Sequence, residues 1–233
     1  MDILVIDQCS SSKSYPSGCE IFDSAEIDGA SLEALRDRDE VISVPARDLY
    51  EGRQQRHISD AVDSLRTNGH SVDRYFISAG FGLVEEGESL PPYDVTFAEM
   101  TPDEIDSRAT ALGISDDTRD LLSENEYDVV FFALGSDYYR TLEFSEIISR
   151  VPETTTVVIF NQEEDADRYD NVVSIPARTE DAKELGEIVI ALKGSYVKNF
   201  AGRIATGVTL ESAADVVAAC VETTTLQKDL DEY

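Results

Sequence analysis

Short, uniformly apolar runs separated by helical stretches constrain this chain more than any other feature. Residues 3–6 (ILVI), 41–44 (VISV), 75–78 (YFIS), 128–134 (DVVFFAL), 156–160 (TVVIF) and 172–175 (VVSI) read as strands, the last as an edge strand ended by Pro176. Rich in Val, Ile and Phe, they lack the alternation of a half-solvated strand, so both faces need cover. Between them the pattern is helical over 31–38, 46–68, 102–112, 116–124, 182–205 and 210–221, with Gly194 and Gly202 interrupting the fifth. Thr101-Pro102-Asp103-Glu104 is a helix start, with a hydroxyl cap, proline at the first position and an acid three residues on. Asp229 to Tyr233 reads as a fraying end. The alternation predicts an α/β fold: a single three-layer domain over 1–233, with a largely parallel sheet and helices on both faces.

Open α/β sheets place their sites at the carboxyl ends of strands. The loops after residues 7, 78 and 134 are therefore expected on one edge, bringing together Cys9 to Lys13, Ser78 to Leu83 and Gly135 to Arg140. After the first strand comes Cys9-Ser10-Ser11-Ser12-Lys13-Ser14-Tyr15, small polar groups suited to holding an anion. Neither a Walker loop nor GxGxxG is present, nor a phosphatase C-x5-R. Two readings are open for Cys9: a nucleophile activated by Lys13, because a nearby ammonium favours a thiolate, or a small buried thiol beside a polar turn. Residues 74–97 read as a strand, a glycine-broken turn at Gly80 and Gly82, an acidic loop and Pro91-Pro92-Tyr93-Asp94. Those glycines let the backbone approach a ligand closely or simply turn tightly.

The chain carries 48 acids against 19 bases, for a net charge of −29, and the acids are dispersed. Dispersed carboxylates with few lysines suit molar salt, where screening acts over roughly 3 Å, and predict a halophilic archaeal host. Arg47, Arg53, Arg56 and His57 form one locally basic cluster, and Lys193, Lys198 and Arg203 a second. They suit phosphate or carboxylate recognition, or serve as counter-ions to a surplus of acids. Three cysteines with no CxxC, and two histidines, speak against a disulfide framework or zinc site, and no cofactor motif appears. No apolar run reaches the ~18–20 residues that cross a bilayer, and no basic leader precedes residues 3–6, so a soluble cytoplasmic protein without membrane partners is expected.

Three separated pieces, CSSSKSY at 9–15, ARDLYEG at 46–52 and ISAGFGLVEEGESLPPYDVTF at 77–97, together resemble a broad set of uncharacterised microbial domains with CS-x-x-K, A-x-x-LY and serine–glycine–leucine…PYD elements. The second and third are also similar to the YaaA-type peroxide-stress proteins, although Asp94 stands where that family has Arg. That resemblance implies an α/β protein that binds DNA and limits oxidative damage. The first piece resembles the archaeosine synthase signature of archaeal tRNA modification. Cys9, Lys13 and Tyr15 fit it, Gln8 and Ser14 replace its two prolines, and no histidine follows nearby.

These readings predict a nucleic-acid-related protein, an enzyme acting on a nucleotide, nucleobase or nucleic acid. Cys9, Lys13 and Asp94 would do the chemistry. Ser10, Ser11, Ser12, Arg47, Tyr50, Ser78, Gly80, Gly82, Tyr93, Gly135 and Tyr138 would bind substrate, with Ser78, Gly80 and Gly82 offering backbone amides. Arg53, Arg56, Lys193, Lys198 and Arg203 would touch nucleic acid. The alternatives are a non-catalytic DNA-binding stress protein and an interaction module of a defence or modification system.

Overall fold

The structure, a computed structural model, describes residues 1–39 and 41–222, so Asp229 to Tyr233 lies outside the described residues. The strands are β1 (Asp2–Gln8), β2 (Val44–Pro45), β3 (Ser71–Ser78), β4 (Gly82–Glu85), β5 (Ser89–Leu90), β6 (Val129–Ala133), β7 (Thr156–Phe160) and β8 (Val172–Ile175). Six of them form one sheet in the order β4-β3-β1-β6-β7-β8, parallel except for the edge strand β4.

Side-chain alternation along β1 divides the core into two layers. Ile3 and Val5 pack towards the helices Arg53–Thr67, Leu192–Ala205 and Ala213–Val221. Leu4 and Ile6 pack towards Pro102–Ala111, Ile114–Glu124 and Phe144–Ile148. All four side chains are fully buried, each worth about 1.5–3 kcal/mol of apolar burial, which is why the central strands tolerate no alternation. The mixed α/β fold with a mostly parallel sheet is the one the pattern predicts. Among the described residues no helix is long and apolar enough to cross a membrane.

Three expectations differ in detail. The run 41–44 does not join the main sheet. Only Val44–Pro45 is extended, pairing antiparallel with β5 in a separate two-stranded ribbon, and Ile42 is exposed. Pro45 has no N–H for a central ladder. The sixth place goes to β4, which folds back on β3 through the glycine turn. Second, the helix opening at Ala46 breaks into Ala46–Leu49 and Arg53–Thr67, with Gly52 in extended backbone at the second start. Third, Gly194 and Gly202 lie inside the unbroken helix Leu192–Ala205, and the interruption falls near Gly186. Gly194 serves close packing, since a Cβ there would come within 2.6 Å of the Gln54 carbonyl oxygen.

From β1 the chain crosses to β3 on one side and later to β6 on the other. The carboxyl end of β1 is thus the switch point of the sheet, where crevices open in such folds.

Candidate active site

The loops leaving β1, β3 and β6 meet at that switch point. Cys9 is 2% exposed and donates its N–H to the Ile77 carbonyl at 3.0 Å, beside the end of β3. Its Sγ lies 3.0 Å from the Tyr138 hydroxyl, which donates to the Cys9 carbonyl at 3.1 Å. With that proton committed, the hydroxyl accepts from the thiol. Gly135 opens the short helix Ser136–Tyr139 that carries Tyr138, and donates its N–H to Gln8 Oε1 at 2.6 Å. Residues 127 and 129 positions apart are thereby fixed against each other.

A row of hydroxyls continues the cluster. Ser78 Oγ accepts the N–H groups of Gly80 and Phe81, both at 3.1 Å, and stands 2.8 Å from the Tyr93 hydroxyl. Tyr93 in turn stands 2.8 Å from the Tyr50 hydroxyl. With its lone pairs taken by two amides, Ser78 donates to Tyr93, which leaves Tyr93 to donate to Tyr50. Burial raises the pKa of Tyr50, Tyr93 and Tyr138, and nearby Cys9 adds in the same direction, so all three stay protonated. Lys13 lies over this row, its Nζ 4.4 Å from the Tyr93 ring centroid and 3.5 Å from the Val95 carbonyl. Burial lowers the Lys13 pKa, while Cys9, Asp94 and Glu99 pull it back up.

The glycine turn is used differently from the expectation that Ser78, Gly80 and Gly82 offer amides to a ligand. The Gly80 amide is spent on Ser78, and Gly82 pairs with Ser78 in the β3–β4 hairpin. Gly80 is required for packing: a Cβ would sit 2.9 Å from the Tyr93 ring. Ser10 Oγ donates to the Ser12 carbonyl, and Ser11 and Ser12 are exposed. Asp94 is also exposed. Its N–H is held by the Phe22 carbonyl at 2.9 Å, and it lines an open groove of about 990 Å³ with Gly80, Phe81, Thr96 and Met100. Asp28, Glu99 and Asp103 give that groove an acidic rim, and its arginine, Arg108, is held by Asp28 at 3.1 Å. A second cavity, about 620 Å³, lies outside the segment Ser14–Tyr15 and contains Arg47, Tyr50 and Arg56.

The two basic clusters come together where the helices Arg53–Thr67 and Leu192–Ala205 pack, but mostly as ion pairs. Arg53 meets Glu187 at 3.2 Å, Lys198 meets Asp60 at 2.7 Å and Arg203 meets Glu222 at 2.9 Å. Lys193 is half-buried, its pKa lowered by desolvation against the opposing pull of Asp7.

Sequence reasoning missed the polar centre around Asp7 on the other face of the sheet. The Asp7 carboxylate is fully buried and meets Arg74 Nη2 at 2.9 Å, Gln54 Nε2 at 2.7 Å, Gln55 Nε2 at 3.3 Å and the Gln8 N–H at 2.8 Å. Gln55 also donates to the Gln8 carbonyl at 2.9 Å, so Gln8, the residue before Cys9, is held at both its N–H and its carbonyl. An acid closing the apolar strand DILVID was the signal that could have found it. Among the described residues no three His, Cys, Asp or Glu side chains gather as a metal site would need.

A family model for a family of unknown function, DUF6884, matches residues 37–158, just over half of the chain. The chain belongs to DUF6884. The matched DUF6884 segment contains Arg47, Tyr50, the Ser78 to Tyr93 hairpin and loop, and Tyr138, whereas Cys9 and Lys13 lie before it. A search of curated proteins finds no match.

Proposed function

We propose that this protein is an enzyme of a salt-adapted archaeal cytoplasm that acts on a nucleotide, nucleobase or nucleic acid, with Cys9 as its nucleophile. The observation that carries this reading is the Cys9 thiol, 3.0 Å from Tyr138 at the switch point of a parallel sheet, with the Lys13 ammonium over the Tyr93 ring of the same cluster. A thiol, three protonated phenols and one desolvated ammonium can attack an electrophilic carbon and move protons. In one concrete version the thiol adds to a nitrile. The sulfur–carbon bond forms, one carbon–nitrogen π bond breaks, and the thiol proton ends on nitrogen, relayed through Tyr138 or Lys13.

The YaaA-like and archaeosine-synthase-like motifs support the nucleic-acid connection through Cys9, Lys13, Tyr50 and the Ser78 to Tyr93 stretch. The pairing of Arg53, Lys198 and Arg203 with carboxylates favours an enzyme over a non-catalytic DNA-binding surface. The test is turnover of nitrile-bearing and amide-bearing nucleobases and nucleotides by wild type and Cys9→Ala, with the melting curve as a control. Loss of turnover of more than about a hundredfold in a folded variant is expected, the scale of a removed nucleophile or general acid. Full activity in Cys9→Ala would end the reading.

A further inference from the structure

Of the fourteen arginines in this chain, all within the described residues, eleven meet a carboxylate oxygen within 3.2 Å. That is the expected fate of a guanidinium in a protein of net charge −29. Three have no carboxylate that close among the described residues: Arg47, Arg56 and Arg150. Two of these three, Arg47 and Arg56, line the same cavity of about 620 Å³. Arg47 has only an approach of 3.7 Å to its neighbour Asp48, and Arg56 meets no carboxylate among the described residues. Asp48 and Glu51, the acids on the same rim, are exposed and leave Arg56 unneutralised. Both guanidiniums are exposed and are not spent on a close ion pair, so they are available to an incoming anion. Bidentate donors of this kind match phosphate geometry.

The rest of the wall suits the remainder of such a ligand. Tyr15 is half-buried on the rim, a ring on which a base can stack. Tyr50 forms the inner wall, and its hydroxyl is the one that meets Tyr93 at 2.8 Å in the cluster beside Cys9. Lys13 bridges to Tyr50, and Ser14 donates to the Leu49 carbonyl at 2.8 Å, so the cavity lies against the strand of chain that covers the thiol. Both arginines stand on helices, Ala46–Leu49 and Arg53–Thr67, and are placed by backbone rather than by a mobile loop.

We infer that this cavity is a phosphate subsite, in which Arg47 and Arg56 hold the phosphate of a nucleotide, free or at the end of a nucleic acid, while Tyr15 stacks on its base. The inference rests on the nucleotide-related reading of the site and names the part of the substrate that the Cys9 cluster does not bind.

Titration calorimetry at the salt concentration where the protein is folded tests it with three probes: inorganic phosphate, a nucleoside 5′-monophosphate and a short single-stranded oligonucleotide. Arg47→Gln and Arg56→Gln are each expected to weaken monophosphate binding roughly tenfold, the scale of one lost charged hydrogen bond. Arg150→Gln, at an exposed arginine that likewise meets no carboxylate among the described residues, should bind as wild type does. Competition by inorganic phosphate supports the subsite, and tighter binding of monophosphate or of oligonucleotide identifies the source. No binding of any probe overturns it, as does equal weakening in Arg150→Gln or wild-type affinity in both cavity variants. If Cys9→Ala loses turnover while the arginine variants bind normally, the subsite falls and the enzyme reading stands. Full turnover in Cys9→Ala with arginine-dependent binding does the opposite: the subsite stands and the nucleophile falls.

Discussion

Two polar centres flank the carboxyl end of β1, one on each face of the sheet, and they are built on opposite principles. Around Asp7 the charges cancel: a buried carboxylate at 0% side-chain exposure faces a buried guanidinium at 1%, with two glutamine amides and a backbone N–H completing the shell. Around Cys9 the buried groups are a thiol, three phenols and a serine hydroxyl, with the partly exposed Lys13 ammonium at the edge. The first arrangement is a hydrogen-bonded ion pair whose Gln54 Oε1 and Arg74 Nε are left without partners among the described residues, and it holds the loop. The second is made of groups that exchange protons or form bonds. The chemistry we propose therefore rests on the Cys9 face, while the Asp7 face holds the strand end in place.

The sharpest break of this contrast is Arg74→Met. It leaves the Asp7 carboxylate buried without its counter-charge, which costs about 3–5 kcal/mol. For a chain of this size the melting midpoint should fall on the order of 10 °C, even in high salt, because buried pairs are poorly screened. Combining it with Asp7→Leu should recover much of the loss. A single variant that melts with wild type would show the Asp7 centre to be no closed charge pair.

On the other face, Tyr93→Phe removes the hydroxyl between Ser78 and Tyr50 without changing the ring that packs on Gly80 and Lys13. Neutral partners are left unsatisfied rather than a charge, so the expected loss is smaller, about 1–3 kcal/mol by denaturant titration. If it equals or exceeds the loss in Arg74→Met, the distinction between a structural and a reactive centre fails.

The legible half of this architecture was the half written in apolar residues. Burial on both faces leaves β1, β6 and β7 as runs that nothing else explains, and parallel order then fixes which loops meet. The meeting of Cys9, Ser78 and Tyr138 follows from that rule alone. β4 was not legible, because a glycine turn continuing into Leu83 and Val84 reads as a ligand loop or a tight turn, and only pairing across the turn makes the second arm a strand. The Asp7 centre was illegible for another reason: Gln54, Gln55 and Arg74 lie 47 to 67 positions from Asp7, on elements whose polar residues look like solvent-facing ones. Arg47 and Arg56 were visible as a basic cluster, but their lack of partners is a property of space.

Lys13→Met gives the smallest effect and the most specific sign. Its ammonium is partly desolvated, so its pKa in the folded protein lies below the ordinary 10.5, with Cys9, Asp94 and Glu99 opposing the shift. At neutral pH both the folded and unfolded chains carry the proton, and the cost of burying the charge is fully present. As pH rises through the folded value towards 10.5, the folded chain releases the proton first, so the unfolded chain binds more protons and the cost is relieved. Methionine keeps the stem and removes the charge, while forfeiting a contact with the Tyr93 ring worth about 0.5–1 kcal/mol. The net change at neutral pH should therefore stay within about 1 kcal/mol once solvent screening is counted. The stability of Lys13→Met relative to wild type should fall as pH rises from neutrality towards the ordinary lysine value. Denaturant midpoints across that range read the slope directly, and turnover should drop in the same variant if the ammonium serves the thiol. A relative stability that instead rises with pH would mean that Lys13 is stabilised by its acidic neighbours rather than strained by burial, and the Cys9 face would then resemble the Asp7 face after all.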